Sequence, residues 1–168
     1  MGKIMVDTHD YSFFGQSTGL IVRSRKVTDD YVFLTCVRKK QDGNWEKTSQ
    51  KEGKTIKISL EEMVSFLAVF DKKFPTWKGF HRFKGEDTPI ELISRDNLKS
   101  PFLLKVGPYI KPFTYAQAEI FRMLLKHMIM EKIEHLNGFV KTIENDQEED
   151  QINRKVYIKE EMKTNIES

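Results

Sequence analysis

The chain has 168 residues, 39% of them hydrophobic, and its 28 basic and 25 acidic residues give a net charge of +3. This length predicts one folded domain with a tail, and no apolar run reaches the roughly 20 residues that a membrane-spanning helix needs. The single cysteine, Cys36, excludes an intramolecular disulfide and is typical of a reducing compartment. We therefore expect no membrane association and a location in the cytoplasm or with the nucleoid, with organellar and viral settings left open.

The first half of the chain predicts four short strands followed by a helix. Residues 1–16 have no strong periodicity and are assigned to a flexible arm. Strand-like runs separated by turn sequences follow at residues 18–27, 31–40, 45–49 and 54–58. The helix, residues 59–74, begins with a capping box formed by Ser59 and Glu62 and ends at Pro75.

The second half repeats this order. Strands are predicted at residues 76–84, 89–95, 102–106 and 109–113. A long helix then begins with a second capping box, Thr114 and Gln117, and runs to Leu136 before Asn137-Gly138 ends it. Its apolar residues recur at spacings of three and four, at Ala116, Ile120, Phe121, Leu124, Leu125, Met128, Ile129 and Ile133.

Short strands in succession favour antiparallel sheets with the helices on one side. The sequence therefore predicts an α+β fold with two antiparallel β-sheets in a duplicated ββββα arrangement and a long C-terminal helix. We assign residues 17–137 to this domain and residues 138–168 to an acidic, mostly flexible tail. The tail either solubilises the chain, competes for its basic surface or contacts a protein partner.

Common catalytic and metal-binding motifs are missing from the sequence. It contains no HExxH, CxxC, GxxxxGK[ST], GxGxxG or GxSxG pattern. The four histidines are interpreted as surface or partly packed residues: His9, His81, His127 and His135. We therefore expect a protein that is not an enzyme, with no catalytic residue, no cofactor and no metal.

Basic residues interleaved with aromatic residues on predicted strands are the main functional signal. In residues 77–84 the strand period places Lys78, Phe80, Arg82 and Lys84 on one face and Trp77 on the other. Cations that neutralise phosphates beside rings that stack on bases suit single-stranded nucleic acid. The alternative is a solvated sheet face with its rings turned to the core, and which face of this strand is exposed stays open. The candidate nucleic-acid-binding residues are Arg23, Arg25, Lys39, Trp45, Trp77, Lys78, Phe80, Arg82, Lys84 and Lys105.

Three segments resemble the Whirly-type single-stranded DNA-binding fold. They are the fourth strand running into the first helix, the strand after the midpoint loop, and the last strand running into the long helix: residues 54–70, 101–106 and 109–128. Related architectures occur in the positive-cofactor-four transcriptional coactivators, the kinetoplastid mitochondrial guide-RNA-binding proteins and the archaeal ThermoDBP-type proteins. The family's Lys-Gly-Lys-Ala-Ala-Leu motif has no clear counterpart, and residues 17–22 lie nearest to it.

This resemblance implies an oligonucleotide-binding protein that pairs its long helices into oligomers. We expect sequence-tolerant single-stranded DNA binding by phosphate neutralisation and base stacking, by a homodimer or higher homo-oligomer that serves replication, repair or transcription. Two alternatives stay open. One is an RNA-binding protein or transcriptional coactivator of the same fold, and the other is a protein or phosphoinositide interaction module.

Overall fold

Two four-stranded antiparallel sheets, each leading into a helix, form the structure, a computed structural model that describes residues 9–136. The first half comprises β1 (His9–Phe14), β2 (Thr18–Ser24), β3 (Tyr31–Arg38), β4 (Lys54–Ser59) and α1 (Leu60–Phe70). The second half comprises β5 (Thr76–Phe83), β6 (Glu86–Ser94), β7 (Phe102–Val106), β8 (Tyr109–Phe113) and α2 (Tyr115–Leu136). The order of strands in each sheet follows the order in the chain, which confirms the predicted α+β fold.

The first sheet differs from the prediction in the segments that form its strands. Residues 9–14, assigned to the flexible arm, form edge strand β1, because Phe13 is buried between the rings of Phe113 and Phe121. The predicted strand at residues 45–49 is wrong. Only its first residue is apolar, so the segment has no face to bury, and it lies in a connection with one isolated bridge and a 3₁₀ turn. Residues 1–8 and the predicted tail lie outside the described residues.

Each helix begins where a strand ends, at one of the two predicted capping boxes, and both boxes are confirmed. The Ser59 hydroxyl accepts from the Glu62 N–H at 3.2 Å, and the Glu62 carboxylate accepts from the Ser59 N–H at 3.2 Å. Thr114 and Gln117 make the same pair of hydrogen bonds at 3.2 and 3.3 Å. Each box satisfies two backbone donors that a helix would otherwise leave unpaired.

Four phenylalanines occupy the centre of the core. Phe13, Phe70, Phe113 and Phe121 come from β1, α1, β8 and α2, and their ring centroids lie 5.3 to 6.2 Å apart where they touch. The inner faces of both sheets and the buried sides of both helices continue from this cluster as one core. Burying each such ring contributes about 1.5–3 kcal/mol, so the cluster ties the duplicated halves together.

Helix α2 buries one apolar side and one lysine. Its buried residues are Ala118, Phe121, Leu125, Met128, Ile129 and Lys132, whereas Ala116 of the predicted stripe is exposed. The Lys132 ammonium donates to the Ser24 hydroxyl and to the backbone carbonyls of Lys26 and Asp29 at 2.7 to 3.1 Å. Residues Met1–Lys132 form one compact unit, and of the second unit, Ile133–Ser168, the structure describes residues 133–136. No described helix is both long and apolar enough to cross a membrane.

Strands β5 and β6 form a hairpin that extends beyond the rest of the second sheet. Its two-residue turn, Lys84-Gly85, has positive φ at both positions (50° and 77°), as in the type I′ turns that suit hairpins. Strand β7 pairs with residues 90–94 of β6, so residues 80–89 form a two-stranded ribbon. Side chains link the ribbon to the first half of the chain, through His81 to Glu62 at 2.8 Å and Glu86 to Lys54 at 3.6 Å.

Candidate nucleic-acid interface

The side chains of β1 to β4 that point away from the core, together with that of Arg25 just after β2, form what we call the first-sheet face. The strand registers place Asp10, Arg23, Phe33 and Lys57 side by side in one row across all four strands. The next row is uncharged and carries a hydrogen bond of 2.9 Å between two threonine hydroxyls: Ser12, Ile21, Thr35 and Thr55. Tyr31 lies at one end of the face, next to the end of β4. This face therefore combines polar groups, cations and rings.

Two cations on the first-sheet face lie against aromatic rings. The Arg25 guanidinium is 5.4 Å from the centroid of Phe33, and the Lys57 ammonium is 3.7 Å from the centroid of Tyr31. Among the described residues, neither cation forms an ion pair, whereas Arg23 pairs with Asp10 at 3.1 Å. A cation over an exposed ring stays available to a phosphate, because the ring, unlike a carboxylate, carries no net negative charge that would repel the phosphate.

The opposite end of the first-sheet face is an aromatic pair held by the connection between β3 and β4. The rings of Phe14 and Trp45 meet edge to face at 4.9 Å, and Phe14 is 46% exposed. Phe14 lies over Gly19, where a Cβ atom would come within 2.7 Å of the ring. Glycine at this position therefore lets the ring lie across β2, with a second aromatic group at its edge.

Polar contacts fix this connection to the second sheet. The Glu46 carboxylate accepts from the Arg38 N–H at 3.1 Å and from the Tyr109 hydroxyl at 2.8 Å. The Arg38 guanidinium lies 4.2 Å from the Tyr109 ring and donates to the Pro108 carbonyl at 2.9 Å. Burial, with the hydrogen bond to Glu46, raises the pKa of Tyr109 to about 12. Trp45 is thus placed by a braced loop.

The outward side chains of β5 to β8 form the second-sheet face, and here each basic residue meets a carboxylate. Lys78, Glu91 and Lys105 lie in one row, with Glu91 3.6 Å from Lys78 and 3.9 Å from Lys105. Arg82 forms a two-pronged pair with Asp87, with bonds of 2.7 and 3.2 Å that raise the pKa of its guanidinium. The cations of this face therefore face anions already present on the protein.

Strand β5 alternates as predicted up to its last residue. Lys78, Phe80 and Arg82 lie on the second-sheet face, and Phe80 is 67% exposed. Trp77 lies on the other side and packs on Phe66 of α1 at 5.2 Å, so it is not on the open face with the other candidate residues.

Lys84 also departs from its predicted position. It occupies the hairpin turn rather than the strand, because its positive φ is incompatible with an extended backbone. Its ammonium lies 5.3 Å from the ring of Phe83, which is exposed at the end of the ribbon. The candidate set on β5 is therefore reduced to Lys78, Phe80 and Arg82.

The candidate residues divide between the two faces. Arg23 and Arg25 lie on the first-sheet face, and Lys39 and Trp45 pair with each other just beyond β3. The candidate set leaves out four contributors to the first-sheet face: Phe14, Tyr31, Phe33 and Lys57. The sequence had indicated Tyr31 only as further stacking surface. Lys57 was detectable, because it alternates with the buried residues Ile56 and Ile58. Phe33 was hidden, because it stands between Val32 and Leu34 in a continuous apolar run.

The class of fold is defined by the architecture, since no sequence match defines it. Comparison with protein-family models gives no match, and comparison with curated proteins gives none either. Two four-stranded antiparallel sheets, each running into a capped helix around one core, define a Whirly-like fold, as the resemblance in sequence predicted.

Two solved structures support this assignment of the fold. The plant transcriptional regulator PBF-2 is similar over 82% of this chain and 87% of its own, with a TM-score of 0.59 and 11% sequence identity. The Trypanosoma brucei MRP1/MRP2 structure is similar over 81% of this chain and 89% of its own, with a TM-score of 0.53 and 16% identity. At such low identity, the similarity shows a shared fold.

Proposed function

We propose that this chain binds single-stranded nucleic acid, with DNA as the preferred ligand, across the first-sheet face. The observation that carries the proposal is the placement of Arg25 and Lys57 over the rings of Phe33 and Tyr31. Phosphates would replace the rings as partners of the two cations, and the freed rings would stack on bases. The reaction class is binding without catalysis, in the service of replication, repair or transcription.

Three features support this choice. The first-sheet face offers cations without carboxylate partners, whereas those of the second-sheet face are compensated. Its rings lie at both ends of the sheet, with Tyr31 and Phe33 at one end and Phe14 and Trp45 at the other. The Whirly-like fold is shared with a transcriptional regulator, which agrees with a role at nucleic acid.

The test is a titration of fluorescently labelled oligo-dT with the full chain at several salt concentrations, followed by anisotropy. Affinity should fall with salt by about 0.7 log units per log unit of salt for each phosphate neutralised. Changing Arg25→Glu and Lys57→Glu together should weaken binding by at least tenfold, on the order of 1.4 kcal/mol, and lower the salt slope by about 1.4.

A matched control has the same change of charge outside the sheets. Lys72→Glu with Lys73→Glu, in the exposed turn after α1, should bind like the unchanged chain, after correction for the general loss of positive charge. Binding that is absent, insensitive to salt, or equally reduced by this control would contradict the proposal. Parallel titrations with oligo-U and with duplex DNA separate the DNA, RNA and double-strand alternatives, and anionic liposomes test the phosphoinositide alternative.

We also propose that the chain acts as a homodimer or larger homo-oligomer through the exposed side of α2. Met123 and Met130 are 54% and 51% exposed on this helix, next to the partly buried Ile120 and Leu124. Met128, in contrast, is buried in the core and does not contribute to this surface. Light scattering should report a multimer for the unchanged chain and a monomer for Met123→Glu with Met130→Glu. A monomeric unchanged chain would contradict this part of the proposal.

A further inference from the structure

Two histidines and a glutamate from opposite ends of the compact unit converge beside the first strand. His9 lies at the start of β1, whereas His127 and Glu131 are four residues apart and project from one side of α2. One potential ligand atom from each residue can be chosen so that all three lie within 4.8 Å of one another. The cluster is separate from both sheet faces, and the proposed nucleic-acid binding does not use it.

Glu131 is shared between the two imidazoles. One carboxylate oxygen lies 2.9 Å from Nε2 of His9, and the other lies 2.8 Å from Nε2 of His127. The two imidazole rings meet edge to face with their centroids 5.0 Å apart. Both Nε2 atoms therefore point toward the same carboxylate, and a cation that displaced their protons would meet all three groups.

The cluster is partly shielded but open to solvent on one side. The side chains of His9 and Glu131 are 23% and 26% exposed, and that of His127 is 56% exposed. The nearby Lys132 does not place its ammonium here, because it donates to Ser24 and to the turn between β2 and β3. An ion can enter from the side of His127 without any rearrangement of the core.

We propose that His9, His127 and Glu131 form a binding site for a divalent transition-metal ion, with zinc as the representative. Two imidazoles and one carboxylate are the donor set of three-ligand zinc sites that keep a further position open for water. Imidazole donors favour zinc, cobalt, nickel or copper over magnesium and calcium, which prefer oxygen ligands.

A metal ion in this site would replace the two hydrogen bonds of Glu131 by bonds from the three side chains to the ion. Ligands at about 2.0–2.1 Å from a tetrahedral zinc ion stand roughly 3.3 Å from one another. The N···O separations of 2.8 and 2.9 Å run to different oxygens of Glu131, so a carboxylate that binds through both oxygens needs them to open by a few tenths of an ångström. The three ligand atoms lie within 4.8 Å of one another, so side-chain rotations also have to bring the two imidazole nitrogens closer together around the ion. The bound ion would join edge strand β1 to α2, and so hold the strand that the sequence alone did not reveal.

The test uses the full chain, freed of metal with a chelator and then exchanged into chelator-free buffer. Calorimetric titration with zinc chloride should give one ion per chain. Zinc at about 100 times its Kd should raise Tm by about 5 °C or more, whereas magnesium chloride should leave Tm unchanged. Cobalt(II) should produce the visible absorption of a four-coordinate site with nitrogen and oxygen ligands.

Two substitutions make the test specific. His127→Gln removes one donor from an exposed position, so the fold should persist while zinc affinity falls by more than about tenfold. His81→Gln is the matched control, because His81 pairs with Glu62 at 2.8 Å in the same way but has no second imidazole within reach among the described residues. Its zinc response should equal that of the unchanged chain.

The outcomes decide the proposal in either direction. One zinc ion per chain, a Tm shift lost in His127→Gln and kept in His81→Gln, and a cobalt spectrum that changes with His127 support the site. Tm of metal-free His127→Gln shows independently that this variant is folded. A zinc response that is missing in the unchanged chain, or that survives in His127→Gln, overturns the site.

Discussion

The two sheet faces have similar composition and different electrostatics. The first-sheet face carries the cations Arg23, Arg25 and Lys57, and the second-sheet face carries Lys78, Arg82 and Lys105. On the second, Asp87 lies within 4 Å of Arg82, and Glu91 lies within 4 Å of both Lys78 and Lys105. On the first, Asp10 pairs with Arg23, and the other two cations lie over rings.

A count of basic residues therefore does not locate a polyanion site. The partner of each cation decides whether its charge is available, because a ligand phosphate must compete with any carboxylate already bound to it. Partners in a sheet are set by strand register, as in the row that brings Lys78, Glu91 and Lys105 together. Four predictions compare the two sheets, in order of decreasing effect.

The strongest test replaces two aromatic rings on the first-sheet face, and two on the ribbon, by leucine. Tyr31→Leu with Phe33→Leu should weaken oligo-dT binding at least 30-fold, since each lost base stack costs about 1–3 kcal/mol. Phe80→Leu with Phe83→Leu, the matched pair on the ribbon, should change binding by less than about twofold. Anisotropy titrations, with circular dichroism to verify the fold, measure both. A larger loss from the second pair would reverse the assignment of the two faces.

The second test compares the two glycines that make room for a ring. At Gly79, a Cβ atom would come within 2.5 Å of the Trp77 indole, which is partly buried against Phe66. Gly79→Ala should therefore lower the free energy of unfolding by about 1–3 kcal/mol. Gly19→Ala would displace the half-exposed Phe14 ring, which is free to turn outward, and should cost under about 1 kcal/mol. Urea denaturation curves measure both, and equal losses would contradict the difference in packing.

The third test uses alkaline pH to compare two buried groups, Cys36 in the first sheet and Tyr109 in the second. Burial raises the pKa of the Cys36 thiol from 9.0 to about 12, and Tyr109 is raised from 10.0 to about 12. Between the ordinary and the raised pKa the unfolded chain loses the proton and the folded chain keeps it. Stability therefore falls as pH rises, by at most about 1.4 kcal/mol per pH unit for each group.

The free energy of unfolding should begin to fall above pH 9 because of Cys36 and above pH 10 because of Tyr109. Burial lowers the pKa of Lys111, which acts in the opposite sense, because its folded form gives up a proton more readily than the unfolded chain. Cys36→Ala should remove the onset near pH 9, as seen in the difference between its unfolding free energy and that of the unchanged chain at each pH. A difference that is constant from pH 8 to pH 10, roughly the window of a thiol, would contradict it.

The smallest effect is expected when one carboxylate is removed from either face. Glu91→Gln should free Lys78 and Lys105, and Asp10→Asn should free Arg23 on the first-sheet face. An exposed ion pair contributes only about 0.2–1 kcal/mol, so each change should tighten oligo-dT binding by at most about fivefold. Asp10→Asn should have the larger effect if the first-sheet face is the interface. The reverse order would show that nucleic acid lies on the second sheet.

The sequence predicted most of the fold, because its local signals agree with one another. The capping boxes at Ser59 and Thr114, with the turn sequences between the strands, gave both helices and the duplicated order. Strand β1 was missed, because Tyr11 and Phe14 are both exposed and only Phe13 is buried, so no clean alternation appears. Its place depends on contacts with Phe113 and Phe121, about 100 residues away along the chain.

The candidate site was predicted less completely, since it depends on pairing between distant strands. The alternation of β5 correctly placed Lys78, Phe80 and Arg82 together, and it placed Trp77 opposite them. It could not show that Asp87 and Glu91 would neutralise those cations, because the register is fixed by tertiary structure. The cluster of His9, His127 and Glu131 was hidden for the same reason, since β1 itself was not recognised.

Both helices begin at the end of a strand, with the capping residue at the junction, and this has a consequence for how each half folds. The hydrogen bonds of each box join residues only three positions apart, so they can form before any pair of strands has met. The start of each helix is therefore defined locally, whereas strand β1 acquires its place only when Phe113 and Phe121 are in position.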